Sequence, residues 1–231
     1  MAEWCDFATR RDGPPSKFGG YAAGNSSPKR GEVKHSMVGS YGGALSVLDN
    51  LSVPSSWHFS VLKDGSIVQH YPLSANCWHG NDSDNDGEVR ANIDLIGVEH
   101  EGGGPGNESE PLTDAQLLAT IQLTRWAAEQ FSLTRFARFP EQWDVWTLAE
   151  HNQVGNSPTA CPSRRIPWDA VLRGLNPAPP AYGAHDIGAL GEFLRAAATK
   201  YRLVWADEAN RLVEVVDEYL QPMQPRHYFY V

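Results

Sequence analysis

A layered fold of strands and helices, α/β or α+β, is the class this 231-residue sequence predicts. Three observations predict it. Val61 and Ile67 flank Lys63-Asp64-Gly65-Ser66, and an Asp-Gly turn between apolar runs signals a β-hairpin. Leu95-Ile96-Gly97-Val98 is a short apolar run, as a central strand buried on both faces requires. Thr113-Asp114-Ala115-Gln116 opens a helix, with Thr113 as N-cap and Gln116 completing a capping box. A hydrophobic content of 41% with eight Trp supports a core and argues against disorder.

The elements follow in order. Arg10 to Arg30 is rich in Gly, Pro and Ser and reads as an ordered loop or arm. Glu32 to Val38 reads as a strand, and the hairpin runs from Ser56 to Gln69 around its Asp-Gly turn. In the helix from Thr113, Leu117, Ile121, Thr124, Ala128 and Phe131 form one largely apolar stripe. Leu118 borders it, while Leu123 and Trp126 fall elsewhere on the wheel, so the helix is expected to be buried on more than one side. Val145 to His151 is a second apolar run. Asn176 to Ala181 is a stiff, Pro-rich spacer. Beyond it, residues 187–201 and 206–220 have apolar spacing compatible with helix, whereas 201–205 and 211–216 also fit a small hairpin. The expected organisation is a domain over 1–176 with an N-terminal arm over 1–30, a linker at 177–181, and a small module over 182–231. A module of that size is marginal alone and is expected to pack on the main domain or on itself.

Composition excludes some functions. A net charge of −9 disfavours nucleic acid and anionic membranes as partners. No run reaches membrane-spanning length, and Met1 to Asp6 lacks the basic start and apolar core of a secretory signal. Three cysteines in 231 residues fit a reducing cytoplasm; proximity of Cys5 and Cys77 cannot be read from sequence.

His35, His151 and Cys161 carry the most chemistry. His35 lies in the Glu32–Val38 strand, His151 closes the second apolar run, and Cys161 follows ten positions later. Zinc favours imidazole nitrogen and thiolate sulfur, and a catalytic centre takes three protein ligands and leaves the fourth position to water. On spacing alone, two satisfied histidines and a buried free cysteine fit equally well.

Four ordered stretches carry a family resemblance. They are Val33-Lys34-His35-Ser36; Ser56 to Gln69 running on to Ala75-Asn76-Cys77-Trp78-His79-Gly80; Asn92-Ile93-Asp94-Leu95-Ile96-Gly97-Val98-Glu99; and Glu150-His151-Asn152-Gln153-Val154 followed by Thr159-Ala160-Cys161-Pro162. This order resembles the zinc-dependent N-acetylmuramoyl-L-alanine amidases, which share a fold with peptidoglycan recognition proteins and many phage endolysins. The resemblance covers about residues 30–172. It implies an α/β fold, a mixed central β-sheet with helices packed on it, to which the residues beyond the spacer add a small C-terminal α+β extension. It also implies a Zn2+ cofactor held by His35, His151 and Cys161, and peptidoglycan as substrate.

Roles transfer residue by residue. Glu99 matches the catalytic glutamate of the bacterial muropeptide amidases, with Glu101 two residues on as competitor for the base. Where the phage and animal branches place a tyrosine, this chain has Trp57, whose indole only donates, so Trp57 is read as cleft wall or plain core. Hydrolytic members often carry an oxyanion-stabilising lysine where this chain has Thr159; Arg164 or Arg165 in the following turn are further candidates. His79 matches a position lining the substrate cleft. His58 is core or cleft, and His70, His100, His185 and His227 have no motif support. The ten-residue gap from His151 to Cys161 is that of the muropeptide amidases, which end it with aspartate, so the chain combines features of two branches. The expected activity is hydrolysis of the amide between N-acetylmuramic acid and L-alanine by an endolysin. Such an enzyme is made in the host cytoplasm without a signal peptide and acts on the wall after phage-directed release. A non-catalytic muropeptide-binding module and a cytoplasmic muropeptide-recycling amidase are the alternatives. In endolysins, a segment placed like 182–231 often binds cell wall; a packing extension fits equally.

Overall fold

A computed structural model of the chain describes residues 2–17, 26–80, 90–140, 144–155 and 158–176, together with strand backbone at 202–207, 212–216 and 228–230. The chain forms two compact units, Met1–Pro177 and Ala178–Val231.

The first unit is built on a seven-stranded mixed sheet. Its strands are β1 (Thr9–Arg10), β2 (Gly31–Ser36), β3 (Phe59–Val61), β4 (Ile67–Gln69), β5 (Leu95–His100), β6 (Phe136–Arg138) and β7 (Trp146–Glu150). The order across the sheet is β1-β4-β3-β5-β2-β7-β6. Strands β3, β5, β2, β7 and β6 run parallel, and β3 pairs antiparallel with β4 across the expected hairpin. Gly65 sits in that turn at φ 87°, a left-handed conformation that glycine adopts without a Cβ clash. The helices are α1 (Tyr41–Asp49), α2 (Ala91–Asp94), α3 (Asp114–Gln130) and α4 (Trp168–Leu175).

Side chains alternate across a strand with period two, and register then decides which residues share a face. Gly31, Val33 and His35 of β2 lie beside Leu95, Gly97 and Glu99 of β5. On the other flank, Gly31 and Val33 lie beside Thr147 and Ala149 of β7. Val33, Leu95 and Ala149 form an apolar cluster with Ala91 and Val154 on this face. The opposite face, with Ile96, Val98, Trp146 and Leu148, packs against α3 and α4 in the largest core cluster. Burying side chains such as Ile96 and Leu148 there contributes about 1.5–3 kcal/mol each.

Helix α3 has the expected cap: Gln116 N donates to Thr113 Oγ1 at 3.0 Å, and Thr113 N donates to Gln116 Oε1 at 3.1 Å. Its buried stripe differs from the sequence reading. Gln116, Ala119, Thr120, Leu123, Thr124, Ala127 and Ala128 are buried, while Leu118 is 68% exposed. The apolar wheel misplaced the stripe because its centre is polar and bonded to the sheet. Gln116 Nε2 donates to the carbonyls of Val61 and Glu101, Thr120 meets His100 Nε2 at 3.0 Å, and Thr124 Oγ1 donates to Glu32 Oε1 at 2.5 Å. Glu32 and Lys34 pair at 2.6 Å with both side chains fully buried, so removing either one strands a charge, at a cost of about 3–5 kcal/mol.

In the second unit, β8 (Arg202–Asp207), β9 (Leu212–Val216) and β10 (Tyr228–Tyr230) form an antiparallel sheet in the order β10-β9-β8. The β8–β9 pair corresponds to the hairpin alternative, in place of a helix over 206–220. The helical spacing at 187–201 and the residues 18–25 of the N-terminal arm lie outside the described residues.

Candidate functional site

The parallel strands converge at their carboxyl ends, where open α/β sheets place their ligands. His35 is the fifth of six residues in β2 and is 2% exposed. His151 follows β7 directly, at the start of a 3-10 turn over His151–Gln153. The backbone from that turn to Cys161 is closed by Asn152 N donating to Cys161 O at 2.9 Å. One ligand-type atom from each of His35, His151 and Cys161 lies within 4.8 Å of the others. Cys161 Sγ is 4.0 Å from His35 Nδ1, and the two imidazole centroids are 4.6 Å apart. A tetrahedral zinc centre spaces such donors about 3.3–3.6 Å apart, so a small inward movement closes the set.

Electrostatics fits a cation at this point. Burial holds His35 well below its ordinary pKa and lowers His151, so both rings are neutral, the form that binds metal. Burial, with the neighbouring Glu99 charge, pushes the Cys161 thiol up to about 12, while Ser36 N donates to its sulfur at 3.3 Å. Glu99 lies in register with His35 on β5. Its Oε2 is sealed from solvent and has no hydrogen-bond partner among the described residues. Burial raises its pKa to about 8, against a smaller lowering by the Arg165 charge. A buried carboxylate oxygen without a donor is costly, and a nearby divalent cation would compensate it.

The competitor is engaged elsewhere. Glu101 accepts Tyr41 N and Lys63 N, both at 3.0 Å, one on each oxygen, and thereby ties α1 and the hairpin to the end of β5. Thr159 is half-buried, and its Oγ1 accepts Cys161 N at 3.1 Å. Trp57 takes the second of its two readings, and the reading of His79 is corrected. Trp57 is core, 2% exposed, with its indole nitrogen donating to Ser60 Oγ at 2.9 Å, and does not line a cleft. His79 is 7% exposed and has both ring nitrogens within hydrogen-bond distance of protein atoms, so it offers no free nitrogen to a substrate. Arg164 is exposed on the turn after Cys161, with φ 63°.

Arg165 is buried beneath that turn. Its guanidinium donates to Glu110 O and Glu101 O, each at 2.7 Å, to Ser36 Oγ at 2.9 Å and to His100 O at 3.0 Å. No sequence signal distinguished it from its exposed neighbour. His58, His70 and His100 are all structural and buried. Beside the site, Gly39 and Ser40 beyond β2 and Glu101, Gly102 and Gly104 beyond β5, with Lys63, line a groove of about 350 Å³. Among the described residues, no helix is long and apolar enough to cross a membrane.

A model of the family described as N-acetylmuramoyl-L-alanine amidase matches residues 25–164. The 1,6-anhydro-N-acetylmuramyl-L-alanine amidase AmpD of Enterobacter cloacae is 27% identical over 108 residues, 47% of this chain and 50% of that protein. The match thus spans only half the length of this curated relative. A selenomethionine AmpD crystal structure superposes with a TM-score of 0.56 at 20% identity, covering 76% of this chain and 97% of that one. The endolysin amidase LysCS from Clostridium intestinale superposes at 0.50 and 19% identity, covering 75% and 98%. The PlyG catalytic domain superposes at 0.52 and 15% identity, covering 76% and 99%. At these identities the structural likeness speaks to fold.

Proposed function

The chain belongs to the N-acetylmuramoyl-L-alanine amidase family, and from that premise we propose that it hydrolyses the amide between N-acetylmuramic acid and the first L-alanine of peptidoglycan, with a zinc ion held by His35, His151 and Cys161. The observation that supports it most is the convergence of these three donors on the face that also carries the unpartnered Glu99 carboxylate. Bound there, zinc would supply Lewis acidity toward the carbonyl and acidify water. The protein's own residues do the rest. Glu99 takes the proton of the attacking water and returns it to the leaving nitrogen. Thr159, held by Cys161 N through its oxygen lone pair, keeps its hydroxyl proton for the oxyanion. The groove beyond β2 and β5 carries Ser40, Lys63, Glu101 and Asn107 among its lining, hydrogen-bonding groups that a substrate rich in hydroxyls and amides can meet.

We assign intact cell wall as the substrate, in a lytic role after release from the host. Its support is the second compact unit, which stands where endolysins often carry a wall-binding module. A soluble anhydro-muropeptide is the second reading, favoured by the name of the curated relative. Purified wall and soluble muropeptides, each incubated with and without a chelator and followed by mass spectrometry, decide between them. Free stem peptides released from wall, abolished by chelator and by His35→Ala or Cys161→Ala, are expected. Wall binding without released amino termini would refute hydrolysis, and cleavage confined to soluble muropeptides would refute the lytic assignment.

A further inference from the structure

Hydrogen bonds have direction, and a backbone carbonyl can only accept. His79 Nε2 lies 3.2 Å from Leu95 O, so Nε2 carries the proton. An imidazole that carries its one proton on Nε2 keeps its lone pair on Nδ1. That nitrogen is 3.2 Å from His35 Nε2, so His35 donates from Nε2. The neutral His35 ring then has its own lone pair on Nδ1, the atom that faces the Cys161 sulfur.

We propose that His79 is a positioning residue for the metal centre: by accepting from His35 Nε2 it fixes the tautomer and plane of His35, so that Nδ1 is aimed at the ion. The role rests on the zinc reading above. A ligand histidine whose other nitrogen is held by a protein acceptor binds metal more tightly, and losing such an acceptor typically costs 10–100-fold in affinity.

The surroundings of His79 are built for this. Asn92 Oδ1 accepts both His79 N at 2.8 Å and Gly80 N at 2.7 Å. The His79 ring lies over Gly97 of β5, where a Cβ would come within 2.6 Å of its Cγ. A glycine in the middle of a central strand weakens the strand, and here it provides the room for the imidazole. His58 packs edge-on against the same ring at 5.9 Å. His58 is itself fixed, meeting Ala75 O with Nε2 at 2.7 Å and accepting Gly97 N on Nδ1 at 2.9 Å. His58 therefore does not compete for His79 Nδ1. The carbonyl of His35 accepts His100 Nδ1 at 3.1 Å, which holds the ligand's backbone.

The test uses the full chain with nitrogen-15 histidine. In the metal-free protein near neutral pH, both His35 and His79 are expected as Nε2–H tautomers in two-bond proton–nitrogen spectra. Zinc affinity is then read by competition with a chromophoric chelator. His79→Leu, which keeps bulk and removes the acceptor, is expected to weaken zinc binding about 10–100-fold. His79→Asn, whose Oδ1 can still accept from His35, is expected to recover most of that loss. An Nδ1–H tautomer at His35, or parental affinity in folded His79→Leu, overturns the proposal. Should His79→Leu not fold, the parental spectrum decides it. Zinc uptake by the parent that is lost in His35→Ala and Cys161→Ala supports the underlying reading; its absence ends both.

Discussion

At the scale of single residues, Glu99 joins function to instability. Its buried carboxyl is raised to about 8, from an ordinary 4.5. Below about 4.5 both folded and unfolded chains carry the proton, and the group is neutral in its effect. Between 4.5 and 8 the unfolded chain releases the proton and the metal-free fold retains it, so stability falls as pH rises through that window. In chelator, Glu99→Gln is therefore expected to unfold like the parent near pH 4 and to be more stable by a few kcal/mol near pH 9. Parallel melting curves at the two pH values check this, and an unchanged difference would contradict it. With zinc restored, the same variant is expected to bind metal and lose about 10²–10⁴-fold in turnover. Full turnover with bound zinc would remove Glu99 as the base.

At the scale of elements, the site depends on how the Cys161 turn is tied to the sheet. Ser163 and Arg164 both adopt left-handed backbone, at φ 60° and 63°, which costs about 1–2 kcal/mol each. Arg165 follows them and bonds to three carbonyls and one hydroxyl from β2, β5 and the loop before α3. These bonds hold Cys161 beside His35 against the strain of the turn. Arg165→Met would keep the bulk and leave those buried acceptors unpaired. We expect a loss of about 3 kcal/mol or more in urea unfolding, together with weakened zinc binding. A variant within about 0.5 kcal/mol of the parent would show that the turn holds itself. The polar centre of α3 follows the same principle: Gln116, Thr120 and Thr124 are buried because each bonds the sheet.

At the scale of the whole molecule, the chain divides into two compact units after Pro177, and the seven-stranded sheet and the His35, His151 and Cys161 set belong to the first. A chain ending at Pro177 is therefore expected to keep the melting transition, zinc stoichiometry and muropeptide hydrolysis of the full chain. Sedimentation with purified wall then assigns the second unit: if it binds wall, truncation lowers the pelleted fraction and leaves soluble-substrate turnover unchanged. Equal pelleting by both chains would leave it as an extension without a wall ligand.

Much of this was legible in the sequence, because it is local. The Asp-Gly hairpin, the Thr113 capping box and the apolar strand at Leu95–Val98 are written in neighbouring residues, and the order of four short stretches pointed to the family. The same reading named His35, His151, Cys161 and Glu99, the residues of the proposed zinc centre. It missed what depends on direction and on partners far away in the chain. Period two sets which strand residues share a face, but only the β2–β5 and β2–β7 registers put the chosen face together. His79 turned both ring nitrogens to the protein, Arg165 rather than Arg164 turned inward, and α3 buried a stripe with a polar centre. The sequence by itself determined which atoms can bind a metal and where the elements begin. Only the tertiary structure decided which nitrogen of each histidine faces which partner, because a hydrogen bond's sense is set by acceptors such as Leu95 O that no local pattern reveals.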